Sequence, residues 1–117
     1  MKRLITISVL LGLMTTLVPV RAQTPEQEKR WRRKTIGTLK SAATAEEYWR
    51  TSHDSYTTSI DDLKEVGFNR PPSVRARVPW ATEVAYCITA IHKKLEERWR
   101  YSSNEGRWKR GKCPPEP

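Results

Sequence analysis

Apolar side chains in the first half of this chain recur every three to four residues, whereas in the second half they alternate with polar ones. From Pro25 to Ser52 the first pattern predicts one long amphipathic helix with an apolar stripe along one side. Thr24 suits the N-cap, and proline suits the first helical position. Glu46 lies near the middle of the apolar stripe, so we expect it to pair with Arg50 or with a basic residue of the sheet.

A short helix and then a change of period follow. Ser59 is expected to cap a turn of helix over residues 59–66, which ends at Gly67. From Ser73 onward the alternation predicts antiparallel strands with one buried and one solvent-facing side. Residues 83–91 are the most apolar run and are predicted to contain the central strand. We therefore expect an α+β fold, in which one long helix packs across three or four antiparallel strands.

Residues 1–22 have the layout of a secretory signal peptide. Two basic residues precede an apolar run over residues 4–18, which is shorter than the roughly 20 residues that a spanning helix needs. We expect cleavage after Ala22, with an uncleaved anchor as the alternative. Residues 23–117 are then a single domain.

Export determines how the two cysteines are interpreted. Outside the cytosol a pair such as Cys87 and Cys113 is normally oxidised, so we expect one disulfide. The alternatives are a metal pair or a redox couple. The chain has no C-x-x-C motif, however, and neither His53 nor His92 stands at ligand spacing from a cysteine. We expect neither a metal nor a cofactor.

The chain is basic, with 22 Lys+Arg against 13 Asp+Glu and a net charge of +9. The strand alternation places five basic residues on the solvent-facing side of the sheet: Arg75, Arg77, Arg98, Arg100 and Lys109. Such a row can contact an anionic polymer with an affinity that falls with salt. Charged strands also resist edge-to-edge aggregation, which is the alternative explanation. Trp99 and Tyr101 alternate to the opposite face and are predicted to be core residues.

Signals for catalysis are weak. His53, Asp54 and Ser55 are the residue types of a catalytic triad, but neighbours in one turn cannot converge as nucleophile, base and orienting group. Asp61 and Asp62 suit the first turn of a helix. The sequence has no glycine-rich phosphate loop, no H-E-x-x-H and no G-x-S-x-G motif. We expect no enzymatic activity and assign no catalytic residue.

Several segments, in order, resemble type IV pilins and their pseudopilin relatives. They are residues 39–49 (LKSAATAEEYW), 55–57 (SYT), 63–68 (LKEVGF), 86–92 (YCITAIH) and 99–103 (WRYSS), then Gly106 and a final Cys113. In that family these segments correspond to the end of the long helix, the loop after it, the central strand and an aromatic hairpin. The resemblance implies a pilin-like fold with a disulfide-closed C-terminal loop.

The N-terminal segment departs from that family. It has neither the Gly-Phe cleavage point of prepilins nor their early glutamate, because the one phenylalanine is Phe68 and the first acidic residue is Glu26. The resemblance implies an exported structural or interaction protein, in the periplasm, at the cell surface or outside the cell. Its partners would be proteins of a type IV pilus or a type II secretion-like system. Membrane association is expected only if residues 1–22 are retained.

The residue pattern also supports an alternative function. A secreted or periplasmic basic module would bind an anionic polymer such as DNA, lipopolysaccharide or an acidic glycan through the row of basic residues.

Overall fold

The structure is a computed structural model that describes residues 23–117, so the predicted signal segment lies outside the described residues. In chain order the described elements are α1 (Pro25–Ser52), α2 (Ile60–Glu65), β1 (Val74–Ala81), β2 (Tyr86–His92), β3 (Arg98–Ser102) and β4 (Arg107–Arg110). The strands form one antiparallel sheet in the order β1-β2-β3-β4, and α1 packs on it. The predicted α+β class, the long helix and the antiparallel sheet are confirmed.

Both ends of α1 are set by local hydrogen bonds. The Thr24 hydroxyl accepts the N–H of Gln27 at 3.1 Å, and the Gln27 side chain accepts the N–H of Thr24 at the same distance. This capping box satisfies two donors that the first turn would otherwise leave unpaired. At the other end, the N–H of His53 donates to the carbonyl of Arg50 in the last turn. The helix therefore has the predicted bounds.

The segment after α1 returns to the core through α2. The Ser59 hydroxyl accepts the N–H of Asp62 at 3.2 Å, which caps α2 as predicted. Gly67 follows the helix with a φ of 104°, a left-handed conformation that favours glycine. This turn brings the Phe68 N–H to the carbonyl of Leu63 at 3.0 Å, and both side chains are buried in the core.

The sheet has one covered face and one open face. On the covered face, Val74, Val78, Ile88 and Ala90 pack with the α1 residues Leu39, Ala42 and Ala45. Trp99, Tyr101 and Trp108 are half-buried and pack against the same core, so the predicted face of the β3 aromatic side chains is confirmed, although they lie at the border of the core. The register of β1 and β2 shifts between Arg77 and Trp80, a stretch that contains Pro79. Proline cannot donate to a neighbouring strand, which fits this irregularity.

The predicted ion pair of Glu46 is absent from the described residues. Its Oε1 accepts the N–H of Thr57 at 2.9 Å, and its Oε2 has no hydrogen-bond partner among the described residues. Arg50 instead donates its Nε to the carbonyl of Glu83 at 2.9 Å. The prediction was wrong because the loop after α1 folds back over the carboxyl, which helical spacing does not reveal.

The environment of Glu46 favours its neutral form. The side chain is fully buried, and this burial raises the pKa of its carboxyl to about 7, with smaller contributions from the negative charges of Glu47 and Asp62. The hydrogen bond from Thr57 acts in the opposite direction. Near neutral pH the carboxyl is therefore divided between its neutral and its charged form.

The predicted disulfide between Cys87 and Cys113 is present and crosses the open face. Cys87 is at the start of β2, and Cys113 follows β4 in the C-terminal segment. This segment is also held by the Gly111 N–H, which donates to the carbonyl of Arg98 at 2.9 Å, and by Trp80, whose Nε1 donates to the carbonyl of Pro114 at 2.8 Å. The C-terminal segment thus runs across the open face, from Arg98 at the start of β3 to Cys87 at the start of β2.

Replacing Cys113 by serine is expected to lower the free energy of unfolding by about 3 kcal/mol. The bond closes a loop with a sequence separation of 26, and its loss frees that loop in the unfolded chain. Urea denaturation would measure the change, while circular dichroism would report whether α1 is retained. Wild-type protein under reductant is the matched control and should behave like the variant. A variant as stable as the oxidised wild type would contradict the structural role of this bond.

Replacing Glu46 by glutamine is expected to stabilise the protein above neutral pH. Because the folded pKa of about 7 exceeds the ordinary value of 4.5, the contribution of Glu46 to wild-type stability should be fully present below pH 4.5 and be lost as the pH rises through 7. The variant lacks this loss and should gain roughly 1–3 kcal/mol at pH 8.

Urea denaturation at pH 5 and pH 8 would measure this difference. Glu65→Gln, a change at an exposed residue of α2, is the control and should show no such pH-dependent gain. Equal effects of Glu46→Gln at both pH values would contradict the assignment.

Candidate functional site

The open face of the sheet carries the five predicted basic residues in two cross-strand rows. The strand register forms one row from Arg75, Ile91 and Arg98, and the next from Arg77, Thr89, Arg100 and Lys109. Residues directly opposite one another on neighbouring strands share a face. The alternation of the sequence therefore predicted correctly that these basic residues lie on the open face of the sheet. Whether they bind an anion stays a prediction.

A cleft of about 320 Å³ opens on this face. Its basic lining residues are Arg75, Arg77, Arg98 and Lys112. Thr89, Ile91 and Pro79 also line it, and Cys113 of the disulfide belongs to its wall. The volume is at the lower end of the range for small-ligand sites, and the lining is more basic than such sites usually are.

Two of the five predicted residues are engaged within the fold. Glu105 accepts two hydrogen bonds from one edge of the Arg100 guanidinium, with its Oε1 at 2.8 Å from Nε and its Oε2 at 3.0 Å from Nη2. The same carboxylate pairs with Lys109 at 3.2 Å. The hydrogen bond from Arg100 is the main reason that the pKa of Glu105 falls to about 2. Arg100 also donates to the carbonyls of Arg110 and Lys112, so it positions the C-terminal segment.

The other three predicted residues have no internal counter-charge. Arg75, Arg77 and Arg98 form no ion pair with any residue of the described chain. By contrast, Arg32 of α1 pairs with Glu97 at 2.9 Å, which ties the helix to the sheet. Guanidinium groups that share a cleft without a carboxylate create a positive potential that attracts anions.

Sequence reasoning missed Lys112 and Glu105 as parts of this site. Lys112 reaches the cleft because the neighbouring Cys113 is bonded to β2, so the disulfide was the signal that could have found it. Glu105 lies in the β3–β4 turn, four residues before Lys109. It is a single acidic residue between two basic strands, and this position could have identified it as a partner of their basic side chains.

The weak catalytic candidates do not converge. His53 stacks on Trp49 with ring centroids 3.6 Å apart, in the exposed turn after α1. Asp61 pairs with Lys64 at 3.8 Å, whereas Asp62 accepts the Thr57 hydroxyl at 2.8 Å. These residues cap and fasten local structure.

His92 is a buried residue of the helix–sheet interface. Its ring stacks on Trp31 with centroids 5.3 Å apart, and its Nδ1 accepts the N–H of Lys94 at 3.1 Å. Burial lowers the pKa of this imidazole, and the positive charges of Lys34 and Lys94 lower it further. Residues 23–117 contain no group of three or more histidine, cysteine, aspartate or glutamate side chains placed to hold a metal.

Comparison with known proteins assigns no family, because neither a family model nor a curated protein matches the chain. In the part of the chain that the structure describes, no helix is long and apolar enough to cross a membrane. The disulfide is typical of proteins exported to an oxidising compartment.

Replacing Glu105 by glutamine is expected to loosen the C-terminal segment. Without the carboxylate, Arg100 loses its main partner and holds the carbonyls of Arg110 and Lys112 less firmly. The amide of Gly111 should then exchange faster with deuterated solvent. Wild type should show the same change as the pH falls from 4.5 towards 2, where Glu105 becomes protonated.

Glu116→Gln is the matched control for this exchange experiment, because Glu116 is exposed and forms no ion pair with the described residues. Unchanged exchange at Gly111 in the Glu105 variant would show that Glu105 does not hold the segment.

Proposed function

We propose that this chain is an exported, pilin-like interaction protein that binds an anionic polymer on the open face of its sheet. The observation that carries the proposal is the cleft itself: three arginines without an internal counter-charge line one concave surface. Grouping like charges raises the free energy of a fold, and an anionic ligand offsets that cost. The protein acts by contact, not by catalysis.

The position of the cleft favours a polymer over a small enclosed molecule. It lies on the face of the sheet that no described helix or strand covers, and its charged walls come from separate strands and from the C-terminal segment. Arginine suits phosphate, sulfate and carboxylate groups because its planar guanidinium donates two parallel hydrogen bonds. DNA, lipopolysaccharide and acidic glycans all carry such groups.

A pilin-like role in an assembly is the second candidate. It is supported by the order of elements, in which a 28-residue helix and a short loop precede an antiparallel sheet whose last segment is closed by a disulfide. In this role the protein partners belong to a pilus or a secretion system, and the chain resides in the periplasm, at the cell surface or outside the cell. The open face remains the surface exposed for contacts.

The intact mass of the protein from fractionated native cells, measured without reductant, tests the proposed export. An oxidised species that begins at Gln23 is the expected result. An oxidised, membrane-bound species that retains residues 1–22 would favour the anchored subunit of an assembly. A reduced, full-length species in the cytosol would contradict export.

Neutralising Arg77 and Arg98 together as Arg77→Gln/Arg98→Gln is expected to weaken polyanion binding by at least tenfold at low salt. For wild type on duplex DNA, four phosphate contacts from the cleft predict a slope of log K against log salt of about −3.6, and each lost cation reduces it by about 0.9. Fluorescence anisotropy with a labelled duplex would measure both quantities.

Lys40→Gln/Lys64→Gln removes the same charge from exposed residues of the two helices, away from the open face, and is the control. Equal losses in the two double variants would contradict a specific site and would indicate attraction to net charge alone.

A further inference from the structure

The arginine cleft continues towards one end of the sheet. A second depression of about 60 Å³ shares Arg75 and Ile91 with the cleft, and it is also lined by Lys93 and Glu96. The two depressions are therefore neighbours on the open face. Together they extend from the C-terminal segment to the β2–β3 turn.

The length of this surface follows from the strand geometry. The Lys93 N–H donates to the carbonyl of Ser73 at 2.9 Å, which extends the pairing of β1 and β2 by one residue. Ser73 and Arg77 are four residues apart on an extended chain, a span of about 13 Å. This span accommodates several successive charged groups of a polymer, whereas a single compact anion would occupy only part of it.

Further basic residues lie on the β2–β3 turn and on the adjoining part of α1. Lys94 lies with its Nζ 6.0 Å from the ring centroid of Trp31, a residue of α1. Trp31 in turn stacks on His92 at the end of β2. Lys34 follows Trp31 by three residues on α1, so the two side chains share one side of the helix. The β2–β3 turn is thus the point where the basic open face meets a basic part of the helix.

These lysines are available for a ligand. Lys34, Lys93 and Lys94 are exposed and form no ion pair with the described residues. Two acidic residues lie at this turn. Glu97 forms ion pairs with Arg32 at 2.9 Å and with Arg110 at 3.3 Å. Among the described residues of this turn, Glu96 is therefore the one carboxylate on the surface that forms no ion pair. The local balance remains strongly positive.

We propose that an extended phosphodiester chain follows a basic track from the open face, around the β2–β3 turn, to α1. The basic track consists of Arg77, Arg98, Arg75, Lys93, Lys94 and Lys34. This inference rests on the proposed function, since it takes the cleft as one end of a longer site. No aromatic side chain of residues 23–117 lines the cleft, so the ligand is held there by its phosphates and not by stacking of its bases.

The length of the ligand is the variable that tests the basic track. Oligothymidylates of 4 and 20 nucleotides serve as probes, because the short one spans the cleft and the long one also reaches the turn and α1. Wild type should give a steeper dependence of log K on log salt with the long probe than with the short one. Lys34→Gln/Lys94→Gln should reduce the slope for the long probe by about 1.4, at 0.7 per lost phosphate contact, and leave the short probe unaffected.

Lys40→Gln/Lys64→Gln, with the same change in net charge, is the control and should leave both slopes nearly unchanged. Arg77→Gln/Arg98→Gln should weaken both probes. If the arginine variant weakens both probes but the Lys34/Lys94 variant changes neither slope, the basic track is wrong and the arginine cleft stands. If the arginine variant weakens neither probe, the proposed function itself fails.

Inorganic polyphosphate tests which chemical group is recognised. It should displace the 20-nucleotide probe at a similar concentration of phosphate groups, because the cleft contacts phosphate alone. Failure of polyphosphate to compete would overturn the assignment to a phosphate chain and would indicate recognition of bases or sugars.

Discussion

The packing of α1 against one face of the sheet determines what the other face can be. Leu39, Ala42 and Ala45 close the apolar side of the strands, and no second helix covers the opposite side in the described chain. That opposite side must therefore be stable in water. It meets this requirement with charged side chains from β1 and β3 and with the C-terminal segment, which the Cys87–Cys113 bond fastens to β2. The open face is a consequence of the one-sided core.

The carboxylates that form ion pairs with the sheet lie at β3 and β4 and not at β1, and this difference leaves the arginines of the cleft without a paired carboxylate among the described residues. Glu97 engages Arg32 and Arg110, while Glu105 engages Arg100 and Lys109. Glu105 neutralises the β3–β4 side of the open face and fixes the C-terminal segment through Arg100, whereas Glu97 ties α1 to the sheet. No described acid forms an ion pair with Arg75, Arg77 or Arg98, and the nearby Glu96 lines the smaller depression that Arg75 borders. Arg100 and Lys109 therefore stabilise the fold, whereas Arg75, Arg77 and Arg98 are available to bind an anion.

Local signals in the sequence predicted most of the fold. The caps at Thr24 and Ser59 act within a few residues, so the helix bounds could be found without knowledge of the tertiary structure. The alternation in β1 and β3 assigned the faces for a similar reason. The disulfide followed from the presence of two cysteines in a chain expected to be exported.

Contacts between distant segments could not be predicted in the same way. The partner of Glu46 is the backbone of Thr57, which depends on the path of a loop, and the capture of Arg100 by Glu105 depends on the shape of a hairpin. Lys112 lines the cleft only because the C-terminal segment crosses the sheet. The pilin resemblance fits the order of elements, but an α+β arrangement is shared by many families, so the family remains a proposal.

The most direct test of the account is a nuclear magnetic resonance titration of the 15N-labelled protein with the 20-nucleotide oligothymidylate. The account predicts that the side-chain Nε–H signals of Arg75, Arg77 and Arg98 and the backbone amides of the surrounding strands shift, while the signals of α2 stay in place. Shifts confined to the helices, with the three arginine signals unchanged, would show that the open face of the sheet is not the binding surface.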